Sequence, residues 1–120
     1  MAWVFNRTTP VFMQIASRLR GEILSGKYEA NTQIPSVRQL AFEASVNPNT
    51  MQKALMKLEE DGLLYTKGTL GRFVTSDAGI LQKAREISRK EILHDLLEQT
   101  KALGITGDEL IRYIREEEWI

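Results

Sequence analysis

Between residues 9 and 25 the apolar side chains Phe12, Ile15, Ala16, Leu19, Ile23 and Leu24 return at steps of three and four, the spacing of one buried helix face. Thr9 stands as N-cap, Pro10 takes the first helical position, where a missing N–H costs nothing, and Gly26 supplies the stop. Ser36 and Gln39 match a capping box ahead of Val37, Leu40 and Ala41, so a short second helix is expected to end near Ser45. A third starts at Asn47 and Pro48. On a helical wheel Met51, Ala54, Leu55 and Leu58 fall on one side and Asn49, Gln52, Lys53 and Met56 on the other. Gly62 ends this helix. Leu63 to Lys67 and Arg72 to Thr75 are β-prone, and Gly68 and Gly71 between them permit positive φ, which predicts a hairpin.

After Ser76 the pattern changes. From about Gly79 to Leu103, Ile80, Leu81, Ala84, Ile87, Ile92, Leu93, Leu96, Leu97 and Leu103 form a wide apolar stripe, which predicts one helix of about 25 residues that cannot bury its stripe alone. Gly104 breaks the chain. Thr106 with Glu109 is a further capping box, opening a last helix with Leu110, Ile111 and Ile114 inward. The expected fold class is mainly α with a small β-wing: a winged helix-turn-helix over residues 1 to 76 and a C-terminal helical hairpin over residues 77 to 120.

Length narrows the picture. The 120 residues hold one ordinary domain, or a small domain with a helical appendage, and leave no room for a separate ligand-binding domain of about 100 to 150 residues. With no cysteine, disulfides, thiolate metal sites and cysteine nucleophiles are excluded. MAWVFNRTTPVF does not resemble an export signal, and no apolar run approaches the roughly 20 residues of a membrane span, so a cytoplasmic protein with no membrane partner is expected. The formal net charge is zero, but it is unevenly placed. Residues 1 to 76 hold nine Lys/Arg against six Asp/Glu, and residues 77 to 120 hold seven against ten. A mildly basic head that faces phosphate and an acidic tail that does something else would produce this asymmetry.

A helix that carries Asn49, Thr50, Gln52 and Lys53 behind an Asn47 cap has the width and donor chemistry to enter a DNA major groove. The amides of Asn49 and Gln52 suit adenine N6 and N7. The Arg38 guanidinium can fork onto guanine O6 and N7 or clamp a phosphate, and Lys53 and Lys57 suit phosphate. Plainer roles stand beside these: a surface salt bridge from Arg38 to Glu43, amides in a solvated turn, solvated lysines. Glu59, Glu60 and Asp61 have no histidine near them in sequence, so they fit a solvated acidic helix exit, paired with a basic neighbour, better than a metal site. Glu91, His94, Asp95 and Glu98 share helical spacing that would set a histidine among carboxylates, but one histidine on a polar helix face is common, and metal binding by His94 with Glu91 and Glu98 stays open. Trp3, Phe5, Tyr28 and Trp119 read as packing residues, because no basic residues interleave them as a base-stacking surface would need.

At IPSVRQLA, VNPNTMQKALMKLEEDGL and YTKGTLGRFV the chain resembles the GntR family of bacterial transcription regulators, and in particular its short YtrA-type subfamily. The resemblance covers roughly residues 8 to 76 closely and the two-helix tail more loosely. It implies DNA contacts at Arg38 in helix two, at Asn47, Asn49, Thr50 and Gln52 in the recognition helix, and at Lys67 and Gly68 in the wing. It implies dimerisation through the tail, and an operator that is an inverted repeat with GT and AC ends, ahead of the protein's own operon or beside transporter genes. Two positions depart from the common pattern. Pro48 stands where many members carry arginine, and Arg72 where the wing often has threonine before its phenylalanine.

The expected function is sequence-specific binding of double-stranded operator DNA by a homodimeric repressor, with no cofactor or metal and with any small-molecule effector unknown. A winged helix that docks a protein without touching DNA is the alternative. An enzyme is not expected, since the chain has no nucleophile–base pair, phosphate loop or ligand cluster.

Overall fold

The computed structural model describes residues 3 to 117. Its order is α1 (Val11–Leu24), α2 (Val37–Ala44), α3 (Pro48–Glu60), β1 (Leu64–Lys67), β2 (Gly71–Val74), α4 (Ala78–Ala102) and α5 (Gly107–Glu116). The fold is mainly α with a small antiparallel wing. The chain divides into two compact units, Met1–Arg85 and Glu86–Ile120.

The core of the first unit comes from the apolar faces read from the sequence. Ile15, Leu19, Leu40, Met51, Leu55, Leu58, Leu63 and Val74 are fully buried. Trp3, Phe5, Tyr28, Ile80, Leu81 and Ala84 pack around them, so the first turns of α4 belong to this unit. Burial pushes the Tyr28 phenol above its ordinary pKa. Trp119 lies outside the described residues.

Helix starts show where local signals compete. α1 begins at Val11 with Pro10 as its N-cap residue and no side-chain cap, which corrects the expected Thr9 cap. Gln14 explains the difference: its amide donates to the carbonyls of Thr9 and Asn6 at 2.7 and 3.1 Å and accepts from the Asn6 N–H at 3.0 Å, tying the entering segment without the threonine hydroxyl. At α2 only half of the expected capping box forms. Ser36 accepts from the Gln39 N–H at 3.1 Å, with no return bond from the Gln39 side chain among the described residues. A neutral amide gains less from the backbone than a carboxylate does, and at α5 the Glu109 carboxylate completes the reciprocal box with Thr106.

β1 and β2 pair with Leu64 opposite Val74 and Thr66 opposite Arg72. A third, short edge joins them: the Asn31 and Ile34 N–H groups donate to the Val74 and Arg72 carbonyls, and the Val74 N–H donates to the Thr32 carbonyl. Gly71, at φ 126°, is where the turn needs glycine most, since a Cβ there would sit 2.8 Å from Gln33 Nε2.

In the second unit, the part of the apolar stripe from Ile87 onward, which one helix cannot bury alone, is open. Ile87, Ile92, Leu93, Leu96, Leu97 and Leu103 are exposed, Ile92 to 70 % and Leu103 to 78 %. Leu110 is half-buried, whereas Ile111 and Ile114 are exposed, which corrects their inward placement within one chain. No helix among the described residues is long and apolar enough to cross a membrane.

Candidate nucleic-acid interface

The turn between α2 and α3 is made by three residues with distinct duties. Ser45 takes a left-handed conformation at φ 58°, the Val46 N–H returns to the Ala41 carbonyl at 3.0 Å, and Asn47 caps α3. The cap bond runs from the Asn49 N–H to Asn47 Oδ1 at 2.7 Å. Asn47 therefore spends its amide oxygen on the helix and offers its NH₂ outward. Pro48 follows at the first helical position, where its ring fits the start of a helix without cost.

Burying Met51, Ala54, Leu55 and Leu58 turns the opposite side of α3 to solvent. Asn49, Lys53 and Met56 are exposed there, and Thr50 and Gln52 are half-buried. Arg38 is exposed one turn before Phe42 on the same face of α2, and both border a shallow depression with Glu43 and Pro48. Phe42 is 85 % exposed, a large apolar ring beside a guanidinium. Its position four residues after Arg38 in VRQLAFEA is the signal that would have found it. In the wing, Lys67 and Gly68 are exposed at the hairpin turn.

Ion pairing sharpens this surface. In residues 1 to 76, Arg18 and Lys27 pair with Glu22, Arg20 and Lys57 with Asp61, and Arg72 with Glu59. Lys57 is thereby committed to the exit of α3 rather than left for a phosphate. Among the described residues up to 76, the basic side chains without a carboxylate partner are Arg7, Arg38, Lys53 and Lys67, and the salt bridge from Arg38 to Glu43 does not form. Lys53 lies over the Phe12 ring at 4.2 Å and Lys67 over Phe73 at 5.5 Å, contacts that orient each ammonium without neutralising it. The acidic exit of α3 is paired rather than clustered: Glu59 takes Arg72, and Asp61 takes Arg20 at 3.1 Å and Lys57 at 3.3 Å.

Arg72 does more than close an ion pair. From β2 its Nε donates to Glu59 Oε1 and its terminal NH1 to Gln52 Oε1 at 3.3 Å, while Thr66, opposite it on β1, donates to the same Glu59 oxygen at 3.2 Å. The wing is thus bonded to the recognition face of α3. Sequence reasoning marks Arg72 only as a departure from a common pattern, because nothing in local spacing links position 72 to positions 52 and 59. In the second unit, Glu91, His94 and Asp95 line a shallow hollow with Ile87 and Lys90, and no group of three or more His, Asp or Glu among the described residues converges as a metal site would.

A helix-turn-helix whose second helix offers the free amide of Asn49 and the unpaired Lys53, flanked by a wing with its own free lysine, defines a winged-helix DNA-binding domain. The comparisons agree. Residues 13–74 match the family of bacterial regulatory proteins, gntR family, and the chain belongs to that family. It is similar to the HTH-type transcriptional repressor YtrA of Bacillus subtilis, at 30 % identity over 110 residues that cover 91 % of this chain and 85 % of that protein. A GntR family transcriptional regulator from Listeria monocytogenes shares the fold with a TM-score of 0.83 and 31 % identity, over 95 % of this chain and 100 % of that one. AraR(DBD), solved in complex with operator ORX1, matches with a TM-score of 0.56 and 27 % identity, over 60 % of this chain and 93 % of that one. The protein is a transcriptional regulator, and its relatives are regulators rather than enzymes.

Proposed function

We propose that the protein is a cytoplasmic homodimeric repressor that binds an inverted-repeat operator ahead of its own or an adjacent operon, such as one encoding a transporter. Residues 1 to 76 form the head that reads DNA and residues 77 to 120 the tail that pairs two copies. The observation that carries this reading is the distribution of free charge. Pairing consumes five of the nine cations of the head, and three of the four that remain, Arg38, Lys53 and Lys67, sit on α2, α3 and the wing beside the unengaged amide of Asn49.

In this pose Arg38, Asn49, Thr50 and Gln52 meet base edges in the major groove, Asn47 donates through its outward NH₂, Lys53 holds phosphate, and Lys67 with Gly68 brings the wing to phosphate or minor groove. The repressor named YtrA and the operator-bound AraR domain support the reading by likeness. The open apolar stripe on α4 and α5 supports pairing of two tails, since a contiguous exposed patch of this kind marks an interface.

Footprinting on the promoter of the protein's own operon tests the proposal. Protection of two symmetric half-sites about one helical turn apart, or a multiple of it, is the expected result. A protein that shifted no genomic fragment in a mobility assay would instead be a docking module.

A further inference from the structure

We infer that Arg72, held by Glu59, fixes the hydrogen-bond polarity of Gln52, so that position 52 of the recognition helix reads a base acceptor rather than adenine's donor–acceptor pair. The inference rests on the DNA-reading role of α3 and goes on to say which base edge one residue accepts.

A free glutamine offers a carbonyl oxygen and an NH₂ side by side, and that pair matches adenine, which presents N6–H₂ as donor and N7 as acceptor in the major groove. A guanidinium is all donor. Only the amide oxygen of Gln52 can face Arg72, so the contact at 3.3 Å sets which way the amide plane is turned and sends the NH₂ away from the wing. Arg72 has little freedom to let go. Its Nε is bonded to Glu59, whose oxygen also accepts from Thr66, and the Arg72 side chain is only 16 % exposed. With its oxygen turned to the wing, Gln52 offers donors alone. Guanine, through N7 and O6, and thymine, through O4, accept them; adenine would leave N6–H₂ without a partner, and cytosine presents only a donor. Asn49 is the internal contrast: its side chain makes no bond within the described chain and keeps both halves of its amide for adenine.

Arg72 and Glu59 are positioning residues on this account, and the prediction concerns base preference rather than overall affinity. The full-length chain and its variants are used to select binding sites from a randomised duplex library. Gln52→Ala identifies the operator position read by Gln52, as the one whose preference flattens. Wild type is expected to select guanine or thymine there. Arg72→Ala should move that position toward adenine by roughly tenfold relative to guanine or thymine, the scale of one bidentate contact, and leave other positions as they were. Arg72→Lys, which keeps a donor facing the amide oxygen, should retain the wild-type preference. Because Arg72 braces the wing, each variant is melted beside wild type. Should Arg72→Ala not fold, Glu59→Ala, which keeps both Arg72 and Gln52 but frees the guanidinium from its anchor and so loosens its hold on the amide, should blur the same position. Selection of adenine by wild type at the Gln52 position overturns the inference, as does an Arg72→Ala profile that weakens at every position alike. Enrichment of no sequence by wild type would instead overturn the DNA-reading role, and this inference with it.

Discussion

Arg38 and Lys67 are both exposed cations without a carboxylate partner, yet they sit on different elements and should act differently. A guanidinium on α2 can lock onto two acceptors of one base, whereas an ammonium at a hairpin turn offers a point charge to phosphate. Arg38→Ala should therefore cost about 1 to 3 kcal/mol on the operator and little on random DNA, and Lys67→Ala should weaken both to a similar degree. Titrations of each variant on operator and scrambled duplexes at fixed salt provide the check. A specific-to-random ratio untouched by Arg38→Ala but collapsed by Lys67→Ala would reverse the two roles. In the proposed pose Asn47 would join two functions in one side chain, because its oxygen caps α3 and its NH₂ is left for DNA. Asn47→Ala should cost about 0.5 to 2 kcal/mol of stability through the lost cap. Asn47→Asp should restore the cap, and even favour the helix dipole, while placing a negative charge against DNA. Recovery of the denaturation midpoint without recovery of operator affinity would separate the two functions; recovery of both would mean that Asn47 only caps.

At the scale of elements, the end of α5 that carries the full capping box should be sensitive to acid. Bonds to the Thr106 N–H and hydroxyl hold the Glu109 carboxyl below its ordinary pKa. A group depressed in the folded state contributes fully above its unfolded pKa and loses that contribution as pH falls through the folded value. Protection of the amides in the first turn of α5, measured against their intrinsic exchange rate at each pH, should therefore fall as pH drops from neutral into acid, and Glu109→Gln should show no such step. Protection unchanged across that range in the wild type would remove Glu109 from the cap. The elements themselves were largely legible in the sequence, because the three- and four-residue spacing of Ile15, Leu19 and Ile23, and of Met51, Ala54, Leu55 and Leu58, records burial directly. Asn47, Ser36 and Thr106 announced their helix starts for the same reason: a cap is a local bond. What was hidden is non-local. The edge formed by Asn31 to Ile34 carries no alternation, and it exists because β2 has free backbone groups to share. Gln14 displaced Thr9 through bonds to Asn6, eight residues away, and Arg72 reached Gln52 and Glu59 only after the wing had folded against α3. The residues proposed to face DNA were legible as types, and which half of each amide is free was not.

For the whole molecule, two numbers frame what DNA binding requires. Three free cations on the proposed DNA face of each head, Arg38, Lys53 and Lys67, would give a dimer about six phosphate or base partners, so affinity should fall roughly 10³-fold between 50 and 200 mM salt. An affinity flat over that range would remove the phosphate-anchored pose. A single head with so few cations should bind weakly, and a tail that joins two copies, as proposed, would answer this. Ile92, Leu93, Leu96, Leu97 and Leu103 expose an apolar surface that water disfavours, and a two-fold mate offering the same stripe would cover it with an isologous contact. Once paired, the second head finds its half-site from an effective concentration near mM, which raises affinity by about 10² to 10⁴ without a new DNA contact, provided the half-sites are spaced by whole helical turns. Charge on the stripe should undo this while sparing the head, since Leu96 and Leu97 lie outside the Met1–Arg85 unit. The double variant Leu96→Glu, Leu97→Glu should sediment as a monomer, keep the wild-type affinity for one half-site, and bind a two-half-site operator hardly better than one. Inserting half a helical turn between the half-sites should bring the wild type down to the same level. A variant that stayed dimeric with full operator affinity would show that some other surface joins the two heads.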